Sequence, residues 1–340
     1  MFGTGTKKML NIMILKILEK YSDEDHRLTQ KRIIELLDTE YGMECDRRSV
    51  ANNISSLREM GYEIEKENDG YYIIREFEDW ELRVLIDSVL FSKSITRSKA
   101  KTLIKKIQSL GNDHFKSKVK YITGLPEKLQ RSENKTVEIA LDVINDAIGK
   151  KKKISFMYNS YGVDLQLHPK RKEPYIVNPY RIVATNGRFY LIGNYDKYND
   201  ISHYRIDKMT EVQILKDKIK PKKDIEGISN NELDLPKHLA EHIYMFSGES
   251  IWVKFLTDVS RLDAVIDWFG KSFNILQRNG NQILISVKVN ETAMKYWAMQ
   301  YGDDIEIVEP KSLRQRVMET AETILKKHSS VINNDNIINR

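Results

Sequence analysis

The chain has few of the residues that characterise secreted or membrane proteins. Its 340 residues include a single cysteine, Cys45, which excludes an internal disulfide and a multi-cysteine zinc site. No stretch approaches the roughly 18 consecutive apolar residues that a membrane span needs. Residues 1–5 carry no signal-peptide pattern. We therefore expect a cytoplasmic protein.

The motifs of common catalytic centres are also missing. No phosphate-binding loop, His-Glu-x-x-His motif or nucleophile elbow is present. The seven histidines are dispersed. His238 and His242 have i,i+4 spacing, but no acidic or cysteine partner stands in matching register, so a solvent-exposed helix start is favoured over a metal site. We expect no enzymatic activity, no cofactor and no bound metal.

Positive charge is concentrated in the middle of the chain. The net charge is +6, and 41% of the residues are apolar, as in ordinary globular proteins. Residues 80–134 hold 12 Lys and Arg against 5 Asp and Glu, and residues 135–223 hold 18 against 10. Residues 1–79 hold 12 against 17, a net charge of −5. A polyanionic ligand would therefore be attracted to the middle of the chain.

The N-terminal part has the pattern of a small helical domain with a β-hairpin. Apolar periodicity predicts a first helix over residues 8–20. Thr29 and Asp46 are the expected N-caps of a second and a third helix. Two strands at residues 62–64 and 71–74 are joined by a glycine-containing turn. This order predicts a winged helix-turn-helix domain over residues 1–78.

The third helix of such a domain lies in the major groove of DNA. Arginine can donate to guanine or phosphate, and asparagine can bond adenine with both amide atoms. We expect DNA contacts from the third helix and from the start of the second. The net charge of −5 favours the alternative, a solvated polar face on a protein-interaction module, and that alternative stays open. The expected DNA-binding residues are Thr29, Gln30, Lys31, Arg47, Arg48, Ser49, Asn52, Asn53 and Ser56.

Two further amphipathic helices are predicted over residues 79–92 and 98–110. Their apolar faces, which include Leu85 and Leu103, are too small to form a core of their own. We interpret residues 79–134 as a helical linker that carries a dimer contact or relays a conformational change. The alternative is a packed linker with a solvated lysine face.

A hairpin stands at the centre of the chain. Asn186-Gly187 predicts a two-residue turn, because both residues tolerate the positive φ of a type I′ turn. On the strand that follows, alternation puts Arg188 and Tyr190 on one face and Phe189 on the other. A third strand is expected to place His203, Arg205 and Asp207 on a shared face. With the preceding helix and strands, these elements predict a small β-barrel.

These residues resemble the WYL domain family. Phe189-Tyr190-Leu191 matches the Trp-Tyr-Leu triplet that names the family, and Arg205-Ile206-Asp207-Lys208 matches a run that follows it. Phe189 replaces the tryptophan, and Lys208 replaces an arginine. The resemblance implies an Sm-like (SH3-type) β-barrel over residues 135–220 that senses a nucleotide-like or single-stranded nucleic acid ligand inside a bacterial transcription regulator.

The ligand site expected from this resemblance combines an aromatic plane with positive charge. Tyr190 would stack on a base, Arg205 and Lys208 would hold phosphates, and His203 would add a hydrogen bond. The alternative is that these side chains pack against the linker helices or the C-terminal domain. The expected ligand-binding residues are Tyr158, His168, Phe189, Tyr190, His203, Arg205 and Lys208.

A polar segment, residues 221–236, separates the barrel from a C-terminal domain placed at residues 235–328. The predicted order there is β-α-β-β-α-β with a trailing helix, which is typical of a ferredoxin-like sandwich. This region resembles the C-terminal extension that is common in WYL regulators. Residues 329–340 are rich in asparagine, so we expect a frayed tail.

The sequence therefore predicts a mixed α+β regulator. It would bind a double-stranded DNA operator as a homodimer, since a two-fold protein matches a palindromic site. A nucleotide or single-stranded nucleic acid effector would alter operator affinity. The alternative is an accessory protein that senses nucleic acid and regulates a partner system, such as phage defence, rather than a promoter.

Overall fold

The computed structural model describes residues 9–68, 70–119, 134–225 and 233–331. They form two compact units, Met1–Lys135 and Thr136–Arg340. Both units combine helices with antiparallel sheet, which confirms the predicted α+β class. Within the described ranges, no helix is both long enough and apolar enough to cross a membrane.

The first unit begins with three helices that share one core. The predicted caps are confirmed, because the side chain of Thr29 accepts a hydrogen bond from the Arg32 N–H and that of Asp46 accepts one from the Ser49 N–H. Ile14, Ile33 and Ile54 meet in the core. The helices are α1 (Leu10–Tyr21), α2 (Gln30–Tyr41) and α3 (Arg47–Glu59).

A three-stranded sheet completes this core. It has the order β1-β3-β2, where β1 is Leu28–Thr29, β2 is Ile64–Glu67 and β3 is Gly70–Ile73. The predicted hairpin is confirmed, although its first strand begins at Ile64 rather than at residue 62, and Asp69 of its turn lies outside the described residues. The two-residue strand β1 was not predicted, because it is too short to show an alternating pattern.

The next helices form a small core of their own, contrary to the prediction. They are α4 (Asp79–Phe91), α5 (Arg97–Ser109) and the unpredicted α6 (Asp113–Val119). Phe115 of α6 is buried against α4 and α5 and supplies the missing third side. Leu85 and Leu103, which were predicted to be buried, are 39% and 41% exposed. Residues 120–133 of the predicted linker lie outside the described part.

The second unit opens with a helix on a curled six-stranded sheet. The strand order is β5-β4-β6-β7-β8, and β9 also pairs with β4. No pairing joins β8 to β9 among the described strands, so the sheet is a curled half-barrel. The elements are α7 (Val137–Gly149), β4 (Lys152–Tyr161), β5 (Leu167–Pro169), β6 (Tyr175–Thr185), β7 (Arg188–Tyr195), β8 (Ser202–Arg205) and β9 (Met209–Lys218).

The central hairpin has the predicted two-residue turn. Asn186 and Gly187 have φ angles of 51° and 72°, and Thr185 pairs directly with Arg188. One prediction for this region is wrong. A single 3-10 turn, Ile206–Lys208, follows β8, so Asp207 does not continue the strand that carries His203 and Arg205.

Gly193 of β7 lies where the backbone of β6 comes closest. A Cβ atom there would stand 2.8 Å from the carbonyl oxygen of Asn178 and 2.8 Å from Cγ1 of Val177. Both neighbours are fully buried, so neither has room to retreat. The site therefore requires glycine.

We expect Gly193→Ala to destabilise the second unit by about 1–3 kcal/mol, as overpacking of a buried site does. The measurement is urea denaturation of the full chain followed by circular dichroism. Gly149→Ala is the matched control, because no atom lies within 4 Å of a Cβ at that position, and it should be neutral or stabilising by up to about 1 kcal/mol. Equal midpoints for the two variants would contradict the close approach.

The C-terminal part of the second unit has the predicted order of elements after residue 250. Its sheet has the order β11-β12-β10-β13 and packs around Trp297, Phe255 and Phe269. The last helix continues to Val331, beyond the predicted start of the tail, and residues 332–340 lie outside the described part. The elements are α8 (Leu235–Glu241), β10 (Ser250–Asp258), α9 (Leu262–Phe269), β11 (Phe273–Asn279), β12 (Gln282–Asn290), α10 (Glu291–Gln300), β13 (Glu306–Glu309) and α11 (Lys311–Val331).

Candidate functional site

Two arginines converge on one buried carboxylate at the edge of the curled sheet. Arg205 Nη2 and Arg188 Nη1 lie 2.7 Å and 2.9 Å from Oδ2 of Asp207, whose side chain is 1% exposed. Arg205 Nε also donates to Asp207 Oδ1 at 3.1 Å. The pairing of β7 with β8 sets this geometry by placing Tyr190 opposite Arg205. Asp207 thus holds both guanidinium groups in a fixed orientation.

Two lysines add to the charge at this place. Burial, followed by the repulsion of Arg205 and Lys170, lowers the pKa of Lys208. No carboxylate pairs with the Lys208 ammonium among the residues described. We call Lys170, Arg188, Arg205 and Lys208 the basic cluster. Asp207 pairs with the two arginines, and no other carboxylate pairs with these four cations among the described residues, so about three positive charges are in excess.

Tyrosines line the basic cluster. The Tyr158 hydroxyl accepts a hydrogen bond of 3.2 Å from the backbone N–H of Arg205, and Lys170 Nζ lies 5.1 Å from the centre of the Tyr158 ring. Burial raises the pKa of Tyr158 and of Tyr190, so both phenols are neutral donors at neutral pH. Tyr190 is half-buried beside Ile192.

Several of the predicted ligand residues therefore come together, and others do not. Tyr158, Tyr190, Arg205 and Lys208 meet at the basic cluster. Phe189 packs on the opposite face of the sheet. His168 is exposed and lies 2.8 Å from Oδ2 of Asp164 in a separate turn.

His203 lies with two other histidines between the half-barrel and α8. Its Nε2 is 2.7 Å from Nε2 of His238, and its ring centre is 5.0 Å from that of His242. His238 and His242 are each only 7% exposed. The prediction that these two form a solvent-exposed helix start is therefore wrong, because α8 packs Leu235 and Leu239 against the curled sheet and both rings lie beside His203.

Burial dominates the electrostatics of this cluster, which we call the histidine triad. Burial, then His242 and His238, lower the pKa of His203 to about 2, while the backbone of Phe246 acts in the opposite sense. Burial, then His242, lowers the pKa of His238 to about 4. Both rings are therefore neutral at neutral pH.

A short chain of hydrogen bonds runs from the histidine triad into the C-terminal part. The backbone N–H of His203 donates to Oγ of Ser247 at 3.1 Å, and the side chain of Asn290 donates to the Ser247 carbonyl at 3.4 Å. The Asn290 side chain also caps α10 by accepting the Ala293 N–H at 3.0 Å. Strand β8 is thus connected through Ser247 to Asn290, the residue that caps α10.

The predicted DNA-binding residues lie on α2 and α3 of the first unit. Among them, Arg47, Arg48, Asn52, Ser56, Thr29 and Lys31 are exposed. Ser49 and Asn53 are half-buried, and the Asn53 amide donates to the Ser49 carbonyl at 2.8 Å. Gln30 is half-buried, with Nε2 3.5 Å from the Tyr71 hydroxyl. The exposed residues on α3 place two arginines and the amide of Asn52 on its solvent side.

Sequence reasoning missed three parts of these sites. Alternation assigns Arg188 to the face of Tyr190, so its signal is present in the sequence, although it was not predicted to bind the ligand. Lys170 comes from the segment after β5, and its approach to Tyr158 has no sequence signal. The histidine triad joins positions that are 35 residues apart, and only the i,i+4 pair within it is visible in the sequence.

Two parts of the second unit match known domain families. Residues 140–214 match the WYL domain model, and residues 249–325 match the WCX domain model. No curated protein matches the chain significantly.

Two solved structures are similar to this chain at low identity. One is proteasome accessory factor B/C (PafBC) of Arthrobacter aurescens, with 14% identity, a TM-score of 0.30, and coverage of 92% of this chain and 47% of that one. The chain thus spans about half the length of PafBC. The other is a CRISPR Cas-related protein, with 16% identity, a TM-score of 0.41, and coverage of 99% and 89%. The two domain matches assign residues 140–214 to the WYL domain family and residues 249–325 to the WCX domain family.

Proposed function

We propose that this chain is a DNA-binding transcription regulator whose WYL domain binds a phosphate-bearing ligand at the basic cluster. The observation that carries the proposal is the crowding of cations there. Lys208 is partly buried among like charges, which lowers its pKa. A bound anion would remove this repulsion, because it places opposite charge within a few ångströms of each cation.

The arginines support recognition of phosphate in particular. Asp207 already holds both guanidinium groups by their N–H donors. Because the two arginine side chains are already held in place, they lose little conformational freedom when they bind an oxyanion such as phosphate. The remaining N–H groups and the Lys208 ammonium can donate charge-assisted bonds to phosphate oxygens. Tyr190 would contact the adjoining sugar or base with its exposed edge.

For the first unit we propose a winged helix-turn-helix fold that binds DNA through α3. Arg47 and Arg48 are exposed in the first turn of this helix, and no salt bridge is found for either within the described residues. Unpaired arginines are available to phosphates and guanine edges. We likewise propose an Sm-like barrel for the WYL domain and a ferredoxin-like sandwich for the WCX domain.

The test of the whole proposal is an electrophoretic mobility shift. The DNA is the region upstream of the gene, searched for inverted repeats. Adding a nucleotide or short single strand that binds the WYL domain should change the affinity of the chain for the repeat. If the chain binds the single strand but no duplex, the accessory-protein alternative is favoured, and the net charge of −5 in residues 1–79 supports that outcome.

We also propose that the chain dimerises through α4. Trp80, Val84 and Phe91 are 63%, 52% and 65% exposed, and spacings of four and seven residues put them on one side of the helix. Such an apolar stripe on a surface helix is typical of a helix-helix contact. The protein should therefore sediment as a dimer at micromolar concentration.

We expect Val84→Glu to convert this dimer to a monomer, because it would bury an unpaired carboxylate in the contact. Sedimentation velocity measures the change. Ile12→Glu is the control, since Ile12 is 45% exposed on α1 and should leave the dimer intact. A wild-type monomer, or a dimer that survives Val84→Glu, would rule out this contact.

A further inference from the structure

The histidine triad brings three ligand atoms to one point. One nitrogen from each of His203, His238 and His242 lies within 4.8 Å of the other two. The triad is the only group of three or more such side chains found in the described ranges. Its members come from β8 and from α8 with the residue that ends it. Folding, rather than sequence proximity, assembles the group.

Hydrogen bonds among the rings do not satisfy the triad. The His203 and His238 Nε2 atoms are 2.7 Å apart and share at most one proton. Nδ1 of His203 is buried without a hydrogen bond of good geometry. Three neutral rings packed only against one another would leave this polar atom uncompensated, at a cost in free energy. The three rings therefore do not complete their own hydrogen bonding.

One ring is already oriented for a metal. His242 Nδ1–H donates to the carbonyl oxygen of His238 at 3.0 Å, which fixes the tautomer with a lone pair on Nε2. A second hydrogen bond of this kind orients most histidines that ligate metals. For His203, coordination through Nε2 would place the ring proton on Nδ1.

We propose that the histidine triad binds a divalent transition-metal ion, with zinc as the representative ion, through the Nε2 atoms of His203, His238 and His242. Imidazole nitrogen suits zinc, copper and nickel, whereas magnesium and calcium require oxygen ligands. Tetrahedral zinc with bonds of about 2.0–2.1 Å separates its nitrogen ligands by about 3.4 Å. The nitrogens of the triad are 2.7 Å apart in one pair and within 4.8 Å in the others, which brackets this spacing.

The ion would cross-link two parts of the chain that are distant in sequence. His203 belongs to the part of the chain that matches the WYL domain, while His238 and His242 lie between the two matched regions. Three protein ligands leave one coordination position for water or another donor. Binding would hold α8 on the curled sheet and stabilise the folded second unit.

The test uses the full chain without a polyhistidine tag, treated with chelator and then dialysed. Calorimetric titration with zinc should give one ion per chain. His203→Gln, His238→Gln and His242→Gln should each weaken binding by at least about 100-fold, since even loss of an outer partner typically costs 10–100-fold. His328→Gln, on the exposed surface of α11, should bind as the wild type does. Unchanged affinity in all three triad variants would overturn the proposal.

A second measurement does not depend on the variants folding well. Zinc at about 100 times its Kd should raise the melting temperature of the wild-type chain by about 5–10 °C, and magnesium should not. Cobalt should give the intense visible absorption of a tetrahedral site. Absence of both the thermal shift and the cobalt spectrum in the wild type would sink the proposal, whatever the variants do.

Discussion

Arg205→Ala is expected to weaken binding of a phosphate-bearing nucleotide or short single strand by about 10–150-fold, because it removes charge-assisted hydrogen bonds worth about 1.5–3 kcal/mol. Arg205→Lys should fall between this variant and the wild type, since lysine keeps the charge and loses the bidentate geometry. Affinity should also decrease as salt rises. Fluorescence anisotropy of labelled oligonucleotides and cyclic dinucleotides measures each effect.

Arg205 also pairs with Asp207, so its loss affects folding as well as binding. Lys208→Gln separates the two effects, because no carboxylate pairs with Lys208 among the described residues. It should lower affinity and leave stability unchanged or slightly higher, since it removes a crowded cation. Lys197→Gln is the matched control, because Lys197 is an exposed cation elsewhere on the same unit. If Lys208→Gln and Lys197→Gln bind alike, the basic cluster is only a structural ion-pair network.

The second large effect is expected at the start of α3. Arg47→Ala and Arg48→Ala should each weaken operator binding by about 1–3 kcal/mol, or about 5–150-fold, through lost phosphate or base contacts. Both side chains are exposed, so melting of the protein should not change. A gel shift with the duplex that the wild type retards measures the loss.

Lys16→Ala is the control for these two variants. Lys16 is exposed on α1, outside the helix proposed to enter the groove, and its loss removes the same charge from the same unit. Lys16→Ala should weaken duplex binding less than either arginine variant does, and by the same factor for every DNA sequence. If both arginine variants bind duplex as tightly as the wild type, the first unit is a protein-interaction module.

Operator binding should in turn depend on the ligand of the WYL domain. A ligand shifts this equilibrium only by its differential affinity for the competent and incompetent states, typically about 1–3 kcal/mol. At a ligand concentration that just saturates the wild type, Arg205→Ala should therefore reduce the ligand's effect on the gel shift without changing binding to DNA in its absence. This outcome distinguishes a sensor from a protein that merely carries two independent sites.

Local chemistry explains which parts of this fold were predictable. The caps at Thr29 and Asp46 and the turn at Asn186-Gly187 each depend on a few neighbouring residues. Strand alternation likewise suffices to put Arg188 and Tyr190 on one face. These features need only short-range geometry, which the sequence pattern reports directly.

The features that were missed depend on distant parts of the chain. Phe115 creates a core for α4 and α5 from a helix of seven residues, which is too short for its periodicity to stand out. Alternation extends the strand through Asp207, because a single 3-10 turn interrupts no hydrophobic pattern. His238 and His242 read as solvated in the sequence because their partner, His203, lies on another element. In each case tertiary packing decided the outcome.

Strand β8 is only four residues long, and it carries one residue of the histidine triad and one residue of the basic cluster. His203 and Arg205 are two positions apart on it, so their Cα atoms are separated by about 7 Å of extended backbone. All four residues of this segment pair with β7, so we expect the segment to move as a unit. A ligand that displaced Arg205 would therefore be expected to displace His203 as well, and with it the hydrogen bonds through Ser247 to Asn290, the cap of α10. We therefore expect β8 to couple the proposed ligand site to the WCX domain.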